Sequence, residues 1–246
     1  MTADRLLRAA AELGVRVVQI ADNLPLDRLT GSDLDALVEK AGRWNLDLEV
    51  GTCGTDPGHL RMYLGLAVRL GSSLVRVVPD TDDSRPSPAE VVAAFREALP
   101  AFERAGVCLA LENHDRFNAA TLAEILGHLD SPHLGICLDT ANSIGCAEGL
   151  GPLLHALGHR VVNLHVKDFR ARRLPHMKGF VIEGSPAGRG QLNIPWVLAE
   201  LRRRGRSPSV ILELWPPPEA TVAESVAKEE AWAAESVRYL RRLLPG

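Results

Sequence analysis

Short apolar runs rich in β-branched residues alternate along this chain with longer segments of helical period. The runs cover residues 15–21 (VRVVQIA), 46–51 (LDLEVG), 74–79 (LVRVVP), 107–112 (VCLALE), 134–139 (LGICLD), 161–166 (VVNLHV) and 210–214 (VILEL). Several are apolar almost throughout rather than alternating, the mark of strands covered on both faces, as in a parallel sheet with crossover helices. Helix boundaries are legible between them. Ser32 and Asp33 open a segment reaching Trp44, Ser87 and Pro88 open one reaching Arg104, and Gly14, Gly71 and Gly106 stand where left-handed caps end helices. Residues 2–13 also read as a helix, with Thr2 as cap and Leu6, Leu7, Ala10 and Leu13 on one face. Strand–helix units recur and no linker or composition shift interrupts them, so the pattern predicts one (β/α) barrel domain over residues 1–246.

Composition narrows the function classes. The length of 246 residues suits such a barrel, and 46% hydrophobic with 24% charged residues is the balance of a soluble globular chain. A formal charge of −3 provides no basic footprint for a phosphate backbone, so nucleic acid is excluded as a partner. Cys53, Cys108, Cys137 and Cys146 form no CxxC pair and read as reduced thiols filling the core. With no secretory leader and no long apolar run, the expectation is a cytoplasmic protein without membrane contact.

Four strands share an anomaly: an apolar run meets an ionisable or metal-binding side chain at or next to its carboxyl end. These are Glu112, Asp139, His165 and Glu213. In a parallel barrel all strand carboxyl ends surround one mouth, so the four converge. Three carboxylates at one point repel and raise one another's pKa values unless a cation stands among them. One imidazole with carboxylate oxygens suits Mn²⁺, with Mg²⁺ or Co²⁺ as alternatives, better than a structural zinc.

The stretches LALENH (109–114), GICLDTAN (135–142), NLHVKD (163–168), GSPAGRGQ (184–191) and ILEL (211–214) resemble the sugar phosphate isomerase/epimerase-like proteins of the xylose isomerase-like TIM barrel superfamily. The resemblance implies one divalent metal held by Glu112, Asp139, His165 and Glu213, with Glu112 and Glu213 as acid and base on opposite faces of a chelated sugar. Chemistry agrees with this, since removing a proton beside a ketone needs a polarised carbonyl and a positioned carboxylate. The leading expectation is an isomerase or epimerase acting on a small sugar or polyhydroxy ketone through an enediolate. A metal-dependent lyase dehydrating an inosose-like or keto-sugar substrate is the alternative. An abasic-site endonuclease would need more histidine ligands, and a non-catalytic sugar-binding subunit would not need Glu112 and Glu213.

Further candidates surround this set. Some ketose epimerases of the superfamily carry a histidine three residues after the metal-binding aspartate; here Asn142 stands there, able to hydrogen-bond a substrate hydroxyl but not to move a proton. His114 is placed to orient a ligand. Lys167 shares a strand face with His165 and either enters the mouth or pairs with Asp168. Gln19, Asp22 and Asn23 end the first strand and either meet hydroxyls or form a turn, while Glu49 lies within a strand and receives no role. The surplus chain between Lys167 and Ile194 suits a hairpin over the mouth, with Arg189 reaching substrate. Finally, a barrel of this family has eight strands, with the ligands on the fifth to eighth. Only seven runs are found, so the first strand is missing. The edges of 15–21 and 210–214 then need covering by a loop, a narrowed closure or a partner chain, as in a homodimer.

Overall fold

The computed structural model describes residues 2–22 and 24–244. In chain order the elements are α1 (Ala3–Leu13), β1 (Val17–Ile20), α2 (Gly31–Arg43), β2 (Asp47–Cys53), α3 (Pro57–Leu70), β3 (Leu74–Val78), α4 (Pro88–Ala105), β4 (Cys108–Glu112), α5 (Ala119–Gly127), β5 (Leu134–Asp139), α6 (Leu150–Leu157), β6 (Val161–Val166), β7 (Phe169–Arg173), β8 (Phe180–Gly184), α7 (Ile194–Arg203), β9 (Ser209–Leu212) and α8 (Val222–Leu240). Strands β1 to β6 and then β9 form one parallel sheet in that order, while β7 and β8 pair antiparallel as a separate hairpin. This is a seven-stranded parallel sheet nearly closed into a barrel.

The caps follow the local chemistry. Thr2 accepts from the Arg5 amide, Ser87 forms a capping box with Glu90, and Gly14, Gly71 and Gly106 end α1, α3 and α4 in the left-handed region. Helix α2 departs from expectation. Its cap is Thr30 rather than Ser32, with Asp33 closing the box from the third helical position, so Gly31 and Ser32 lie inside the first turn.

Strand parity separates two interiors. Ile20, Val50, Val75, Val77, Leu109, Leu111, Ile136, Leu138, Leu164 and Val166 are buried in one apolar cluster with the inner faces of the helices. The alternate positions carry Gln19, Glu49, Arg76, Glu112, Asp139, Asn163 and His165. Gln19 on β1 hydrogen-bonds Asn163 on β6, a reach available only across the barrel's inside.

Among the described residues no eighth barrel strand exists: those ahead of residue 15 form α1, and no ladder joins β1 to β9. The seam is nevertheless narrow, with Cα atoms of β1 and β9 within 8 Å. From inside, Asn163 receives Gln19 of β1 at 3.1 Å and donates to Ser209 of β9 at 2.7 Å. From outside, α1 meets α8 through the Arg5–Glu230 ion pair at 3.0 Å, and Arg241 donates to the Leu13 carbonyl. Among the described residues no helix is long and apolar enough to cross a membrane.

Candidate active site

The carboxyl ends of β4, β5, β6 and β9 bring Glu112, Asp139, His165 and Glu213 together. Nδ1 of His165 lies 3.0 Å from Glu213 Oε2 and 3.8 Å from Glu112 Oε2. Ligand atoms of Asp139, His165 and Glu213 lie within 4.8 Å of one another, and Glu112 joins His165 in an overlapping group. Each carboxylate has a built setting. Asp139 Oδ1 accepts from the Ala141 and Asn142 amides, both at 2.7 Å, and Asn113 clamps the Asp139 backbone at 2.7 and 2.9 Å. Asn142 Nδ2 donates to Glu112 Oε1 at 2.9 Å.

Two cations face these carboxylates. Lys167 Nζ sits 3.1 Å from Asp139 Oδ2, 2.7 Å from Glu213 Oε1 and 3.2 Å from Asn142 Oδ1. Arg76 rises through the barrel from β3 with Nε 3.1 Å from Glu112 Oε2, and its Nη1 lies 3.7 Å from Asp22. Gly51 makes room for it, because a Cβ there would stand 3.2 Å from Arg76 Nε and 2.9 Å from Ala21 Cβ. Burial raises the carboxyl pKa values of Glu112 and Asp139, against the pull of Arg76 and Lys167 respectively. Burial also pushes Glu213 up, but the His165 hydrogen bond and the Lys167 charge outweigh it and hold that carboxyl at about 2. Lys167 is lowered by burial and raised further by Asp139 and Glu213, ending above its ordinary value.

The donor set can take a divalent cation. Glu112 Oε2 and Asp139 Oδ2 are buried oxygens without an aligned hydrogen bond, and both residues belong to the groups gathered with His165. Oxygens of this kind are what a cation would satisfy. Beside the cluster opens a cavity of about 250 Å³ whose lining includes Asp115, Asn142, Ile144, Lys167, Ile182 and Trp215.

Other expected residues are placed differently. Lys167 does enter the mouth and pairs there, not with Asp168. The Asp168 carboxylate instead accepts backbone N–H bonds from Phe169, Gly188, Gly190 and Leu192 at 2.8–3.0 Å and so shapes the loop after the hairpin. His114 is not brought to the ligands; its Nδ1 lies 3.7 Å from Asp115, and the orienting contact belongs to Asn113. Arg189 turns away from the mouth to pair with Glu235 of α8 at 2.5 Å. Asp22 accepts from Cys53 Sγ at 3.2 Å and faces Arg76, while Asn23 lies outside the described residues. Cys137 is more than a core filler. Its thiol lies in the cluster with Glu112 and His165, donates to Asn163 Oδ1 at 3.1 Å, and is held protonated by burial.

Sequence reasoning passed over Arg76, Asn113 and Asn163 and left Glu49 without a role. A signal existed for three of them. A polar residue flanked by apolar neighbours inside a doubly covered strand, as in LVRVV, LEV or VNL, has only the barrel interior to face.

A family model described as a xylose isomerase-like TIM barrel matches residues 7–243. The 3-oxo-isoapionate decarboxylase of Pectobacterium atrosepticum is 32% identical over 235 residues, covering 96% of this chain and 86% of that protein. Among solved structures, D-psicose 3-epimerase in the presence of D-fructose superposes with a TM-score of 0.79 at 14% identity, covering 100% of this chain and 95% of the other. A xylose isomerase-like TIM barrel protein from Mycobacterium smegmatis in complex with magnesium gives 0.75 at 14% identity, covering 98% and 87%. At such identities the structural likenesses speak for the fold. Together with the matched family model, they place this chain in the xylose isomerase-like TIM barrel family.

Proposed function

We propose that this chain is a metal-dependent enzyme that generates an enediolate from a small polyhydroxy ketone, and that it does so by decarboxylating a 3-oxo sugar acid. The carrying observation is Lys167. Its ammonium stands where the cavity meets the ligand cluster, the position from which a cation would meet an acidic substrate. The 32% identity to a 3-oxo-isoapionate decarboxylase over nearly the whole chain supports the same reading. It departs from the leading expectation of an isomerase or epimerase and is closer to the lyase alternative, with carbon–carbon cleavage in place of dehydration.

In this reading Glu112, Asp139, His165 and Glu213 would hold a divalent cation, Mn²⁺ or else Mg²⁺ or Co²⁺, which would polarise the substrate ketone and take up developing negative charge. The bond between the carboxylate and its α-carbon breaks and CO₂ leaves. The bonding pair moves toward the ketone oxygen to give the enediolate, and that carbon then takes up one proton. Lys167 steadies the acid and the developing oxygen charge, and Asn142 beside it offers an amide to a hydroxyl. Glu112, which accepts from Asn142 at the cavity wall, would return the proton, whereas Glu213, paired with Lys167, would stay ionised. Ile182 and Trp215 give the cavity an apolar wall.

A second reading, isomerisation or epimerisation by proton transfer alone, draws on Glu112 and Glu213 approaching His165 Nδ1 at 3.8 and 3.0 Å from two different strands. One experiment separates the two. Mn²⁺-loaded protein is given small 3-oxo sugar acids while CO₂ is measured, and given ketoses in D₂O while deuterium incorporation is measured. We expect CO₂ release, with Lys167→Met lowering turnover about 10²-fold. Deuterium entering ketoses without CO₂ from any acid would select proton transfer, and neither signal would remove the enediolate chemistry.

A further inference from the structure

Behind His165 lies a closed polar network that the proposed reaction does not touch. Gln19 Oε1 stands 2.8 Å from His165 Nε2, while Gln19 Nε2 donates to Glu49 Oε2 at 3.0 Å and to Asn163 Oδ1 at 3.1 Å. Asn163 Nδ2 donates to the same Glu49 oxygen at 2.9 Å and to Ser209 Oγ at 2.7 Å. Glu49 is 6% exposed and Asn163 and His165 are 0% and 2% exposed, so water offers these groups little alternative.

The donor and acceptor inventory fixes the direction of every bond. Both amides turn their NH₂ groups toward the same Glu49 oxygen, which accepts from each. That leaves the Gln19 oxygen facing His165, and since an amide oxygen only accepts, Nε2 must carry the hydrogen. With Nε2 committed to Gln19, Nδ1 is the nitrogen that faces the carboxylates of Glu213 and Glu112, 3.0 and 3.8 Å away, and so the atom through which His165 would join a cation held by them. Reversing the Gln19 amide would set its oxygen against the Glu49 carboxylate, so Glu49 anchors the whole chain of bonds.

We propose that Gln19 and Glu49 are positioning residues that lock His165 in its Nε2–H tautomer and thereby present Nδ1 as the ligating atom. The proposal rests on the metal reading of the four-residue cluster. Partners of a metal-binding histidine are worth about 10- to 100-fold in metal affinity. The network also spans β1, β2, β6 and β9, so the residues that fix the ligand are those that bridge the open seam.

The test is a Mn²⁺ titration of parent, Gln19→Met and Glu49→Gln, following free Mn²⁺ by electron paramagnetic resonance. It is joined by ¹⁵N NMR of the Mg²⁺-loaded parent, with His165 assigned by its disappearance in His165→Gln. We expect Gln19→Met to weaken Mn²⁺ binding at least 10-fold and Glu49→Gln to weaken it less but in the same sense. The parent should show a protonated Nε2 and a ligated Nδ1. Unchanged affinity in both variants, or a hydrogen on Nδ1 in the loaded parent, overturns the tautomer lock and leaves the metal reading standing. A parent that binds no Mn²⁺ overturns both. Should Gln19→Met fail to fold, the parent spectrum and Glu49→Gln decide the question.

Discussion

Among the described residues no other carboxylate accepts as many backbone N–H bonds as Asp168. Its two oxygens accept four backbone N–H bonds, from Phe169, from Gly188 and Gly190 of the GSPAGRGQ stretch and from Leu192 just after it, and its carbonyl accepts from the Ser185 amide and Trp215 Nε1. Gly190 is obligatory there, since a Cβ would stand 2.1 Å from Asp168 Oδ1. Removing the acceptor leaves four part-buried donors without their partner, each at a cost near the low end of about 1–3 kcal/mol. Asp168→Ala should therefore lose about 3 kcal/mol in urea unfolding, and a loss below about 0.5 kcal/mol would contradict that role. The same scale shows what could be read beforehand. Glu112, Asp139, His165 and Glu213 were legible because each ends an apolar run, where the mouth is the sole destination. For His114 and Arg189 residue type carries no direction: His114 stands beside Asp115, and Arg189 pairs with Glu235 on α8.

The hairpin of β7 and β8 was legible as an element from its glycines and its apolar triplet. Its register was not, because pairing Phe169 with Gly184 follows from loop closure by Asp168 rather than from local propensity. Only Ile182 of β8 joins Trp215 in lining the mouth cavity, whereas Met177 and Phe180 are exposed. Ile182→Ala should accordingly raise KM for the substrate several-fold, with turnover and melting temperature nearly unchanged. An unaltered KM would make the hairpin irrelevant to binding. Helix α2 shows the limit of cap reading. Thr30 and Asp33 are the pair that forms the box, but Ser32 and Asp33 are the adjacent cap formers that catch the eye, and only the backbone distinguishes them.

At the scale of the whole molecule, the seven strands and their order follow from the repeating unit. The absence of an eighth among the described residues follows from the helical pattern at the start of the chain. What could not be read was how the seam is held, since that depends on side chains distant in sequence: Gln19, Asn163 and Ser209 within, Arg5 and Glu230 without. The homodimer expected from two exposed edges is one of three covers, and the internal network with the α1–α8 contacts supplies another. A seam without a ladder leaves β1 and β9 each paired on one side only. Hydrogen exchange should thus be faster for their amides than for those of β4 and β5, while equal protection across the sheet would mean that β1 and β9 are covered in solution.

The proposed chemistry depends on one cation held at the mouth, and metal content shows whether it is there. Parent protein, Asp139→Ala and His165→Ala are each equilibrated with Mn²⁺, freed of unbound ion and analysed for metal per chain. The cluster geometry predicts one Mn²⁺ in the parent and little in either variant. Equal metal content in all three, or none in the parent, would contradict it.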